Sequence, residues 1–224
     1  TWETSKTYNL GLDFGFFNNR ISGAIDVFHK NTIDLLADVA VPAGEFSNRN
    51  FKNIGEMETK GIEFTLNATP IKTENVNWDF SFNIAHNQSE ITTFSDQVGE
   101  DYIIQTGGIG GIGNTVQAHK AGYTPYGFYV YQQMYDNAGK PIEGAYVDRN
   151  GDGKITADGD KYFYESTTPD ATIGFSTRFK YKNWDVSTAL RAVIGNYVYN
   201  NFAAQSNVQS IKTNEFLQNL PRLA

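Results

Sequence analysis

Cysteine is absent from the 224 residues, which rules out a disulfide framework, a thiolate metal site and a cysteine nucleophile. Also missing is any run approaching the ~18 to 20 apolar residues that a membrane helix needs, so a helical membrane protein is excluded while a membrane crossed by strands is not. Basic residues are the minority sign. There are 18 Lys and Arg against 25 Asp and Glu, a formal charge of -7, and a phosphate-binding surface would require the opposite balance. No nucleic-acid partner is therefore expected. His29, His86 and His119 are too far apart for a metal-ligand spacing, no Gly-x-Ser-x-Gly elbow is present, and no two carboxylates are marked out as an acid and base pair, so nothing points to an enzyme. The chain opens at Thr1 without Met, a charged n-region or an apolar h-region. Any export signal is expected upstream, in a longer protein of which this is a part.

What is plentiful is aromatic side chain, 14% of the residues, and much of it recurs with the period of two that belongs to strands. In Thr4 to Phe17, Tyr8, Leu10, Leu12, Phe14 and Phe16 alternate with Asn9, Gly11, Asp13 and Gly15; Asn18-Asn19 then offers a pair tolerant of the positive φ of tight hairpins. Arg20 to Lys30 continues with Ile21, Gly23, Ile25 and Val27 against Ser22, Ala24 and Asp26. A second hairpin sets Ile62, Phe64 and Leu66 beside Trp78, Phe80, Phe82 and Ile84, with a short turn near Lys72 to Asn75. A third joins Thr172–Tyr181 to Trp184–Ile194 at Lys182-Asn183.

The connections are very unequal. Three short turns alternate with long stretches from about Asn31 to Glu56, with Pro42 and Gly44, and from about Ile91 to Asp170, where an aromatic run could build a small hairpin of its own. Short turns at one end and long loops at the other, with strands of about ten residues, are the pattern of an outer-membrane barrel. Trp78 and Trp184 each open an arm just after a short turn, where an interfacial aromatic girdle would lie. Asp13, Asp26, Glu63, Asp79, Arg178, Lys180, Asp185 and Arg191 all fall on the opposite, polar face, suited to a watery lumen. The competing architecture is a soluble, secreted β-sandwich, a binding or adhesin module stabilised by calcium, whose apolar rows would pack on a second sheet.

Particular motifs sharpen the choice. Trp2-Glu3, Asn9-Leu10-Gly11-Leu12-Asp13-Phe14, Arg20-Ile21-Ser22-Gly23, Asp26-Val27-Phe28, Thr32-Ile33-Asp34-Leu35-Leu36, Asn53-Ile54-Gly55, Lys60-Gly61-Ile62-Glu63, Gly195-Asn196-Tyr197 and Tyr199-Asn200 follow one another in the chain. The set resembles the late barrel region of the SusC/RagA-type TonB-dependent transporters of the Gram-negative outer membrane. That resemblance implies an all-β fold, an antiparallel transmembrane β-barrel segment with long extracellular loops, supplying about six strands of a barrel of about 22. Residues 1–224 would then be part of one barrel, with the plug domain and closing strands lying elsewhere. It further implies import of oligosaccharides or peptides, a SusD-type surface lipoprotein over the mouth, and the TonB complex acting through the plug. Within 91–170, Tyr123, Tyr126, Phe128, Tyr129 and Tyr131 could stack on a substrate or pack the loops together.

One local motif has its own chemistry. Asp148-Arg149-Asn150-Gly151-Asp152-Gly153-Lys154-Ile155 matches the front half of a calcium loop, with oxygen ligands two residues apart and a glycine that turns the Lys154 carbonyl inward. The twelfth position, where a bidentate Glu belongs, is Gly159, flanked by Asp158 and Asp160. Residues 148–160 therefore read either as a structural Ca²⁺ site or as an Asn-Gly and Asp-Gly turn that binds nothing. The run Gly107 to Gly113 lacks the Gly-Lys-Ser/Thr ending of a phosphate loop and reads as a connection. Barrel and sandwich separate in solution: full-length protein is expected to stay dispersed only in detergent, and a monodisperse sample without it would favour the secreted module.

Overall fold

The computed structural model describes residues 2–40, 49–94, 99, 101–109 and 115–201. They form two units, one of residues 1–102 with 168–196 and one of 103–167 with 197–224. The first unit is an antiparallel sheet of β1 (Thr4–Phe16), β2 (Ile21–Ala40), β3 (Arg49–Lys72), β4 (Val76–Phe94), β11 (Ala171–Tyr181) and β12 (Trp184–Ile194), each beside the next in that order. The second holds β5 (Ile104–Gly108), β6 (Thr115–His119), β7 (Gly127–Tyr131), β8 (Gln133–Tyr135), β9 (Pro141–Tyr146), the single-turn α1 (Ala157–Asp160) and β10 (Lys161–Phe163).

In the first unit the hairpin turns lie where the sequence places them, and each has a local cause. Phe17, Asn18 and Asn19 all have positive φ (54°, 56° and 60°), and Asn tolerates that conformation better than most residues. The second turn closes by Thr73 N–H donating to the Val76 carbonyl at 2.7 Å and Val76 N–H to Thr73 Oγ1 at 3.0 Å. The third is a two-residue loop with Lys182 at φ 51°, and Lys182 N–H reaches back to the Asn75 carbonyl at 2.8 Å. Arg20, in the first turn, accepts at its carbonyl from Thr69 N–H at 2.7 Å. The three short turns are thus tied together at one end of the sheet.

Register carries the alternation across all six strands without a slip in the spanning part. Leu12 is paired with Ile25, Ile25 with Phe64, Phe64 with Ile84, Ile84 with Ile173 and Ile173 with Ala192. Near the short turns the same face carries Phe16, Ile21, Phe80, Trp78, Phe179, Tyr181 and Trp184. Trp78 Nε1–H donates to Thr177 Oγ1 at 2.9 Å, so its polar edge is satisfied while the ring stays on the surface. A tilted strand needs about nine to eleven residues to cross a bilayer, and Tyr8–Phe16 supplies that span.

These rows are not covered by protein. Leu10 is 78% exposed, Leu190 62% and Trp184 76%, and among the described residues no second layer lies over them. Each such side chain left in water forgoes roughly 1.5–3 kcal/mol of burial, and a monomer in solution does not sustain a contiguous patch of this size. A sandwich would have buried the rows, so that alternative is not favoured.

Two expectations change in extent. The stretch from Asn31 to Glu56 is largely paired: β2 runs on to Ala40 and β3 begins at Arg49, leaving 41–48, with Pro42 and Gly44, outside the described residues. Simple alternation hides this because the register shifts between Thr32 and Leu36, where Asp34 takes φ 60° and its carbonyl accepts from Asn53 Nδ2 at 2.7 Å. Likewise β4 continues through Ile91 to Phe94. Aromatic rings fill the gaps left by strand glycines. A Cβ at Gly61 would collide with the ring of its cross-strand partner Phe28, and one at Gly23 with the ring of Phe14.

The parity assignment has a direct test. Phe82→Arg is expected to destabilise the full-length protein in lipid by about 2–4 kcal/mol, the cost of Arg near the midplane, whereas Ser81→Arg, one residue away on the polar face, changes stability by less than about 1 kcal/mol. Urea unfolding from bilayers would measure both, and equal costs would contradict the assignment.

Candidate functional site

The polar face of the six-stranded sheet is a network of short side chains. Asn67 lies between Ser22 and Ser81, Ser81 pairs with Ser176, and Asn83 stands between Thr65 and Gly174. Toward the short turns, Arg178 Nε donates to both carboxylate oxygens of Asp185 at 3.0 Å each, a fork that fixes the guanidinium along the sheet. Asp79, cross-strand from Arg178, accepts from Thr69 Oγ1 at 2.7 Å and from Asn77 Nδ2. Asp26 and Glu63 stand directly opposite one another, a like-charge pair that is tolerable where water screens it. All eight charges named from the alternation, Asp13 and Arg191 included, occupy this face.

The connection between β4 and β11 builds the second unit. Its sheet runs β10-β7-β6-β5, with β8-β9 as a separate ribbon, so the aromatic run belongs to a larger fold than one hairpin. Phe128 (7% exposed) and Tyr129 (6%) sit inside it; here they pack. Tyr129 lies against Phe163 at 5.1 Å between ring centroids, and burial raises its phenol pKa above the usual value. Tyr131 is partly buried against Tyr146. Tyr123 stacks on Phe163 at 4.0 Å and is still 42% exposed, and Tyr126 is more than half exposed with its ring edge-on to His119 at 4.4 Å. Burial holds His119 below the ordinary imidazole pKa, and its Nδ1 accepts from Tyr126 N–H at 3.3 Å, so it serves as a neutral support for that ring. Of the five aromatics, Tyr123 and Tyr126 present accessible rings and the other three build the frame.

Pattern reading misses two members of this frame. Phe163 joins Tyr123 to Tyr129, and the Lys161 ammonium lies 5.7 Å and 5.5 Å from the ring centroids of Tyr129 and Tyr131. The alternation Lys161, Phe163 against Tyr162, Tyr164 was the available signal. Of the glycine run, Gly107 and Gly108 end β5 and Ile109 is buried; Gly110 to Gly113 lie outside the described residues.

The acidic loop holds itself together. Asp148 Oδ1 accepts from Gly151 N–H and Oδ2 from Gly153 N–H, both at 2.7 Å; Asn150 Oδ1 accepts from Asp152 N–H at 3.1 Å, and Asp152 Oδ1 from Lys154 N–H at 2.8 Å. Asp160 is fully buried and ties the two ends, accepting from Arg149 N–H at 2.8 Å and Thr156 N–H at 2.6 Å. Those backbone donors, Thr156 foremost, hold its carboxyl below the usual carboxylate pKa. Asp158 is exposed. Among the described residues no three His, Cys, Asp or Glu side chains are grouped as a metal cage.

With the geometry in view, comparison with known proteins places it. The family model for the TonB-dependent receptor-like β-barrel matches residues 1–200. The chain belongs to this family. SusC, a TonB-dependent receptor of Bacteroides thetaiotaomicron, is 46% identical over 221 residues, covering 97% of this chain and 22% of the relative. TonB-dependent receptor P26 of Formosa agariphila is 34% identical over 212 residues, 89% of this chain and 21% of its own length. The structure of the RagAB peptide transporter superposes with a TM-score of 0.71 at 26% identity, over 92% of this chain and 23% of that one. The chain therefore spans about a fifth of the length of the proteins it matches. This is a family of receptors and transporters, not of enzymes, and its β-barrels lie in the outer membrane of Gram-negative bacteria, as do the strands of this chain.

Asp160 gives a test of how the loop is held. With its pKa lowered in the folded state, it contributes stability that is present above its unfolded value near 4 and lost as pH falls through the folded value. Hydrogen exchange in 148–163 of the full-length protein is expected to stay slow from pH 7 to 5 and to accelerate below about pH 4. Asp160→Ala should expose the same segment already at pH 7; unchanged protection there would show that the loop is anchored otherwise.

Proposed function

We propose that this chain forms part of the wall and rim of an outer-membrane importer that takes up oligosaccharides or, alternatively, peptides with energy from the TonB complex. The observation that carries the reading is a single-layer sheet with a lipid-suited face, a polar face and all three short turns at one end, in a chain of the TonB-dependent receptor family. Short turns belong to the periplasmic side of such barrels, and on this reading the extensions of β2, β3 and β4 beyond the bilayer face outward. The family resemblance read from the sequence motifs implies an oligosaccharide, while the likeness to the RagAB peptide transporter keeps a peptide in play. A SusD-type surface lipoprotein is the proposed lid, and the plug through which TonB acts lies in the remainder of the barrel protein. The polar face would line the path, and no residue on it is needed for bond making or breaking; we infer that the protein is no enzyme.

Tyr123 and Tyr126 are the proposed contact rings, because an accessible aromatic face held by a packed neighbour can meet an apolar sugar face or a side chain without reordering. Calcium in the loop 148–160 is a separate proposal. It rests on oxygen spacing alone, with Asp148, Asn150 and Asp152 keeping a second lone pair on each engaged oxygen. Calorimetric titration of the full-length protein with Ca²⁺ decides it, and no heat at millimolar ion removes the site.

Import has its own measurement. Cells with the full-length protein and its lipoprotein are expected to accumulate labelled oligosaccharide and to stop when the proton gradient is collapsed. Tyr123→Ala with Tyr126→Ala should weaken half-saturation roughly two- to tenfold, the value of lost aromatic contacts. Uptake equal to that of cells lacking the protein would end the import reading. Normal uptake in the double variant would confine those rings to packing.

A further inference from the structure

At the end of the apolar band away from the short turns, the lipid-facing side of the sheet is not flat. A groove of about 560 Å³ opens there across β1 to β4, with Leu10, Val27 and Ile62 in its wall and His29, Lys60 and His86 at its polar end. Register explains the meeting: Leu10, Val27, Ile62 and His86 form one cross-strand row, and His29, Lys60 and Gln88 form the next. Sequence separation hides it, since these residues come from four strands.

The polar end is set by a carboxylate. Glu58, the next residue on this face of β3, places Oε1 2.6 Å from His29 Nε2 and Oε2 2.9 Å from Lys60 Nζ. One acid thus holds two nitrogen donors side by side, and Lys60 remains 64% exposed with ammonium protons left to give. His86 is fixed from the other side through Nδ1, which bonds the Asp170 carbonyl. Leu10, Val27 and Ile62 of its wall belong to the face that lies against acyl chains, so the molecule able to enter it along that face is a lipid. Its head would arrive beside a lysine at the membrane border, where long cationic side chains reach the headgroup layer.

We infer that this groove is a binding site for an outer-leaflet glycolipid carrying a phosphate: acyl chain along Leu10, Val27 and Ile62, phosphate oxygens on Lys60 with His29 and His86. Glu58 offsets one positive charge of the cluster, and the exposed Lys60 ammonium keeps protons that can meet a phosphate oxygen. The inference rests on the outer-membrane placement and on the short-turn orientation, not on what the protein imports, and its failure would leave the import reading standing.

The experiment uses the full-length protein in nanodiscs that contain either a phosphorylated outer-leaflet glycolipid or its dephosphorylated form, with retained lipid counted by native mass spectrometry. The wild type is expected to keep the phosphorylated form in preference. Lys60→Gln should lower that retention about fivefold, the effect of one cation beside a charged headgroup, while Lys180→Gln on the opposite face leaves it unchanged. Retention indifferent to the phosphate, or unaltered in Lys60→Gln, would overturn the site. So would displacement by millimolar inorganic phosphate, which would make it a site for the free ion.

Discussion

Every strand of the first unit obeys one constraint: inside a bilayer there is no water to satisfy a peptide group, so each N–H and C=O must find its partner on a neighbouring strand. The ladders meet it on both edges of β2, β3, β4 and β11 and, among the described residues, on one edge each of β1 and β12. Because pairing also fixes which side chains stand together, the same ladders turn six separate alternations into two continuous surfaces. The lipid-suited face, the polar face and the girdle near the short turns all follow from that one requirement.

The constraint also explains where the fold becomes irregular. Through the middle of the sheet, from the row of Tyr8 and His29 to that of Phe16 and Ile21, the register does not slip, whereas shifts occur at Thr32–Leu36, at Glu56/Met57 and at Ala68/Ile71, toward the two ends of the strands. A slip within the band would exchange lipid-facing for lumen-facing side chains; near the ends, where water can satisfy the backbone, a bulge only bends the strand. The loop unit is not under the same limit and uses another chemistry. It is held by ring-on-ring contact around Phe163 and by carboxylates that accept backbone N–H groups, chiefly Asp160 and Asp148.

Much of the barrel portion was legible in the residues. Alternation in Tyr8–Phe16 or Ile173–Tyr181 gives strand, face and length at once, and the turn residues Asn18-Asn19 and Lys182-Asn183 give the hairpins, because strand periodicity is local. The strand extensions were not legible: beyond Asn31 the bulge at Asp34 breaks the period, and only the pairing of Leu36 with Asn53 shows that the ladder continues. In the loop unit the aromatic run announced a packed cluster but not its centre. Nothing local distinguishes buried Phe128 from exposed Tyr126, two residues earlier, until β6 and β10 close on β7.

Sequence by itself determined the strand period, the sign of each face, the three tight turns and the family motifs, since all of these rest on neighbours within a few residues. Tertiary structure alone decided which rows meet, and hence that His29, Lys60 and His86 share one groove, that Asp160 is an interior anchor and that β4 pairs with β11 across the whole loop unit. The physical reason is that a strand's hydrogen bonds are made to another strand, so its partners are set by long-range register, for which the chain carries no local code.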